Sequence, residues 1–164
     1  MNCPYPDASS GKGRSVTSMR LDLPSIRAEH PLNAALLDFL RAQGCPPGGP
    51  DDYALGAWQL HTHPDLLDRL AELARHAPLH AAYGVPVLAR EGIAAVAAVG
   101  TSVLLVRLPA APSGLEAGTP VPCLAGHGWQ AVDAWQSELP SAEGTRRLCG
   151  TVRRALAGVR DPAS

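Results

Sequence analysis

"YGVPVLAREGIAAVAAVGTSVLLVRLP", residues 83–109, decides what kind of fold this chain can adopt. It holds three short apolar runs, at residues 83–90, 93–99 and 102–108, separated only by connections that carry Gly92 and Gly100. Tight glycine-bearing links between runs of this length predict an antiparallel meander of three strands. Residues 129–132 are a candidate fourth strand; alternatively Trp129, Val132 and Trp135 share one face of a helix.

Amphipathic helices flank the meander. Residues 31–43 place Leu32, Leu36, Phe39 and Leu40 on one helical face, and Gly44, Pro46 and Pro47 end it. Residues 64–76 align Leu66, Leu67, Leu70, Leu73 and Ala74, with Asp65 and Asp68 near the start and Arg75 and His76 at the end, the signs a helix dipole favours. Residues 141–159 align Leu148, Cys149, Val152, Ala155, Leu156 and Val159, with Ser141 as the expected cap. Residues 109–127 are rich in proline and glycine and read as a loop. The expectation is an α+β fold: an antiparallel meander of three to four strands with amphipathic helices on one face. Residues 1–20 are expected to form a disordered tail and residues 21–160 a single domain; Met19 begins a more ordinary amino terminus.

Composition narrows the function classes. A chain of 164 residues buries roughly 70% of its unfolded surface, enough to hold a core without metal or disulfide. The net charge of -1 argues against binding nucleic acid by bulk electrostatics. Lys12 is the only lysine, and with the alanine and proline load the arginine richness reads as GC-rich coding bias rather than selection for guanidinium chemistry. Cys3, Cys45, Cys123 and Cys149 lack metal-site or redox spacing and follow no signal peptide, so reduced thiols and a cytoplasmic location are expected. The apolar run at residues 93–99 is far short of the roughly 20 residues a membrane helix needs.

Residues 59–70, "QLHTHPDLLDRL", offer the most suggestive chemistry. His61, His63, His76 and His80 have the donor type zinc takes, but a helix over 64–76 separates the two pairs by roughly 20 Å, too far for one ion. An amidohydrolase-like H-x-H centre needs a barrel of roughly 200 residues or more. The plainer reading makes Thr62 the helix cap and Thr62-x-x-Asp65 a capping box, with no metal held. Asp51 and Asp52, beside Gly48, Gly49 and Pro50, read as turn residues. Cys149 is a nucleophile only if His127 stands beside it; on the apolar face of its helix it reads as a small buried hydrophobe. Arg146, Arg147, Arg153, Arg154 and Arg160 form a basic face suited to phosphates or acidic partners, or simply to water. Trp129 and Trp135 either stack a ligand or fill the core.

The ordered pieces "THPDLLDRL", "YGVPVLAREGIAAVAAVGTSVLLVRLP" and "GWQAVDAWQSE" resemble a group of uncharacterised bacterial proteins over about residues 55–140. More distantly, the Tyr83-Gly84 pair, the hairpin through Gly92, "LLVRL" and "GHGWQAV" are similar to the amino-terminal domain of the competence regulator TfoX, although Val85 stands where that domain carries a second glycine. The resemblance implies helices over an antiparallel sheet. The expected function is a non-enzymatic binding or regulatory domain, without cofactor or metal, that contacts a protein, a small molecule or a second copy of itself. Its contact candidates are Asp51, Tyr53, His61, His63, Trp129, Trp135, Arg146, Arg147, Arg153 and Arg154. Two rivals are a small metal-assisted enzyme using Asp51, Tyr53, His61 and His63, and a nucleic-acid-linked module using the arginine face.

Overall fold

Two pairs of residues with positive φ fold the central apolar stretch back on itself. Tyr83 (φ 49°) with Gly84 (φ 79°), and Glu91 (φ 54°) with Gly92 (φ 76°), each form a two-residue turn. Successive left-handed residues make the type I′ hairpin turn, whose twist matches that of the flanking strands. The Tyr83 side chain reaches α-helical residue Arg41, whose Nη2 donates to its hydroxyl at 2.9 Å. Tyr83 is therefore a turn residue, not the first residue of a strand.

The computed structural model describes residues 23–42, 62–75 and 77–159; Asp51, Tyr53, His61 and the proposed tail lie outside them. Within them the meander extends to five strands: β1 (Leu79–Ala82), β2 (Val85–Arg90), β3 (Ile93–Val99), β4 (Val103–Arg107) and β5 (Trp129–Asp133). They pair antiparallel in sequence order. Trp129 thus lies on a strand, and Trp135 follows in the bend beyond it. The 109–127 segment is not wholly irregular, since Ala117 bridges Val132 and a short helix spans Pro122–Ala125.

The α+β class is as expected, but helices cover both faces of the sheet. On one face lie α1 (Ala34–Ala42), preceded by a 3-10 turn at Pro31–Asn33, and α3 (Pro122–Ala125). On the other lie α2 (Pro64–Leu73) and α4 (Ser141–Gly158). The reason is visible in β3, "IAAVAAV", which has apolar residues on both sides rather than a polar alternation. Ala94 and Ala97 pack toward α1, while Ile93, Val96 and Ala98 pack toward α2 and α4. A bulge leaves Ala95 between the Leu88–Val96 and Ala89–Ala94 pairs, so Ala95 and Val96 share the second face. Leu36, Leu40, Leu66 and Leu70 are wholly buried, each contributing about 1.5–3 kcal/mol.

Thr62 does not cap α2. His63 is the cap, its Nδ1 accepting from the Asp65 amide at 3.1 Å. Thr62 is fully buried, and its hydroxyl donates to Ala98 O at 2.5 Å. Thr62 also bridges Gly100, and His63 N donates to Gly100 O at 2.8 Å, so this segment is drawn against β3 before the helix begins. The same device opens the first helical segment, where His30 Nδ1 accepts from Leu32 N ahead of Pro31. At α4 the cap position is Pro140, not Ser141, and no side chain caps it.

Candidate functional site

Three residues set the spacing of α2 and α4. Arg69 on α2 donates through Nε to Ala134 O at 3.0 Å and through Nη1 to Thr145 Oγ1 at 2.9 Å, tying α2 to the end of β5 and the start of α4. Its charge is met by Glu72 at 3.1 Å, and its guanidinium lies 5.8 Å from the Trp135 ring centroid. Gln136 (φ 49°) is buried with its amide fully used: Oε1 accepts from Glu116 N, and Nε2 donates to Glu116 O and Asp133 O. Gly144 on α4 faces it so closely that a Cβ would stand 3.1 Å from Gln136 Cβ. These contacts place the start of α4 close to α2.

Further along, the helices leave a groove of about 420 Å³ between the end of α2 and α4. This lies within the range typical of small-molecule sites. Leu73, Ala77, Val152 and Leu156 make it apolar, with the partly exposed Cys149 thiol among them. Arg75 and Arg153 line it as well, together with Glu72 and Thr145.

The two arginines differ from their neighbours. Arg147 pairs with Glu143 and donates to Gly114 O, Arg146 lies 3.9 Å from Glu143, and Arg154 donates to Thr151. Arg75 and Arg153 make no hydrogen bond, ion pair or ring contact among the described residues. Glu72, the groove's carboxylate, is already engaged by Arg69. The basic face of α4 is thus not one surface: Arg153 belongs to the groove, and three others are held by local partners.

The remaining candidates are dispersed. Trp135 is 42% exposed, with its indole N–H donating to Thr101 O, whereas Trp129 is 2% exposed. His63 uses Nδ1 as the α2 cap, and no cluster of metal-ligating side chains occurs among the described residues. Cys149 and His127 lie on opposite faces of the sheet, His127 beside Phe39 and Asp38 of α1, so they form no nucleophile–base pair. Arg75 was not singled out by the sequence pattern, where it reads only as a favourable charge at a helix end. Its signal lay in the partner helix: Cys149, Val152, Arg153 and Leu156 recur at helical spacing and turn one arginine to the edge of an apolar stripe. No family model, curated protein or solved structure matches the chain.

Proposed function

We propose that this domain is a binding module whose ligand is a small amphipathic anion, with its hydrocarbon body in the α2–α4 groove and its carboxylate or phosphate head between Arg75 and Arg153. The observation that carries this reading is the pair of guanidinium groups, Arg75 and Arg153, that pair with no carboxylate among the described residues and line an apolar groove. A guanidinium recognises such head groups through paired N–H donors. Binding rather than catalysis is supported by the groove's other polar side chains: two guanidinium groups, one hydroxyl and a carboxylate already paired, with no described base beside the Cys149 thiol. The reading takes the domain as cytoplasmic, where thiols such as Cys123 and Cys149 stay reduced. Among the described residues no helix is long and apolar enough to cross a membrane.

Calorimetric titration with octanoate and octanol tests the reading. The two share a chain length and differ in the charged head. Hydrogen bonds to charged groups contribute about 1.5–3 kcal/mol, and solvent at the groove mouth sets each arginine toward the lower end, about tenfold in affinity. Octanoate is expected to bind about a hundredfold more tightly than octanol, and Arg75→Ala and Arg153→Ala each to lower octanoate affinity about tenfold. Affinity should rise about fourfold per methylene from butanoate to octanoate, from about 0.8 kcal/mol per buried CH₂. Equal binding of acid and alcohol, or unchanged octanoate affinity in both variants, overturns the proposal.

A further inference from the structure

A second cavity, of about 210 Å³, lies on the other face of the sheet, between β4, β5 and the chain segment leading into α3. Leu105, Val121, Leu124 and Ala131 give it apolar walls. The outer wall is held in place by Gly118 N donating to Ala131 O at 3.1 Å and by the Gln136 clamp on Glu116.

Trp129 also lines this cavity, and its indole Nε1 is buried with no hydrogen-bond partner. It is the one such side-chain atom among the described residues. The other buried polar side chains, His30, Asn33, Thr62, Gln136 and Thr151, all make hydrogen bonds. A buried donor without an acceptor costs about 1–3 kcal/mol. The ring is also fixed: the Arg107 guanidinium stacks 4.4 Å from its centroid and is itself held by Ala94 O and Leu32 O. Trp129 is therefore poorly placed to turn toward solvent for a partner.

We propose that this cavity binds a small neutral carbonyl compound, whose oxygen accepts from Trp129 Nε1 while its hydrocarbon body fills the apolar walls. Size permits it, since an apolar cavity of about 150 Å³ is enough for benzene. Neutrality follows from the lining, which contains no charged side chain. Arg107 sits on the ring face with its Nε and Nη2 donating to backbone carbonyls and does not line the cavity, so a buried carboxylate would lose its hydration without an ion partner in the lining. The site is separate from the α2–α4 groove, and neither proposal depends on the other.

Indole N–H resonances of ¹⁵N-labelled full-length protein test it, with acetophenone, ethylbenzene and benzoate as probes. The chain has three tryptophans, and Trp129→Phe assigns the relevant signal. Acetophenone is expected to move the Trp129 signal downfield in a saturable way while leaving Trp135 in place. Ethylbenzene should bind about two- to tenfold more weakly without the downfield shift, and benzoate more weakly still. Ala131→Leu, which fills the cavity and keeps the indole, should abolish the acetophenone response; this second variant covers a folding failure of Trp129→Phe. An unmoved Trp129 signal, the same shift from ethylbenzene, or an undiminished response in Ala131→Leu overturns the proposal. So does a long-lived water on Nε1 that acetophenone does not displace.

Discussion

Thr62→Asp separates two physical roles for one residue. At a helix N-cap, aspartate is as good as or better than threonine, so a capping Thr62 predicts a change of only a few tenths of a kcal/mol. Here Thr62 is fully buried and its hydroxyl donates to Ala98 O. The introduced carboxylate would face that carbonyl as acceptor against acceptor. An uncompensated buried charge costs about 3–5 kcal/mol. For a domain of this size that corresponds to a melting temperature lower by about 6–20 °C. Burial raises the folded-state pKa of the introduced carboxyl above its unfolded value, so the folded state binds the proton more tightly and the penalty shrinks as pH falls toward about 4. His63→Ala is the companion variant: losing the Nδ1 acceptor for Asp65 N should cost about 1 kcal/mol. Urea unfolding of the two variants at pH 7 and pH 4.5 makes the comparison. A Thr62→Asp protein within about 0.5 kcal/mol of wild type at pH 7 would refute the buried-donor assignment.

Gln136→Leu removes the amide that holds Glu116 and Asp133, about 0.5–1.5 kcal/mol for each of its three hydrogen bonds, so a loss of about 1.5–4.5 kcal/mol is expected in urea unfolding. Hydrogen exchange at Glu116 and Gly118 should accelerate with it; unchanged protection contradicts the clamp. Burial pushes the Arg107 guanidinium down to about 10, below its unfolded value. The unfolded state then binds more protons above that pH, so wild-type stability should rise relative to Arg107→Met as pH climbs past about 10. A difference that stays flat or narrows in unfolding curves above pH 10 counts against this.

Much of the sheet was legible because its signals are local. Glycine at the turns and apolar runs of strand length located β2, β3 and β4 almost to the residue. The helix over Ser141–Gly158 followed from apolar spacing despite three glycines, and Gly144 has a visible reason in its approach to Gln136. The second covered face was harder to read, because alanines at 94 and 97 suit either a thinly covered face or a closely packed one. At Thr62 the local pattern misleads for a related reason: T-x-x-D satisfies the capping pattern, while the neighbouring imidazole, through Nδ1, can cap as well. Which one turned inward depended on the long-range bridge to Gly100. The groove joins Glu72, Leu73, Ala74, Arg75 and Ala77 to residues of α4, a relation carried by the packing of two helices on one face of the sheet rather than by any motif.

The central claim, that the α2–α4 groove holds an amphipathic anion, can be read from the chain's own thiols. Cys149 lies in that groove, whereas Cys123 is exposed on the opposite face and serves as an internal control. Alkylation by iodoacetamide, followed peptide by peptide in a mass spectrometer, should slow at Cys149 in proportion to groove occupancy by octanoate while Cys123 reacts at its original rate. Equal rates at Cys149 with and without saturating octanoate, or equal slowing at both thiols, would contradict the account.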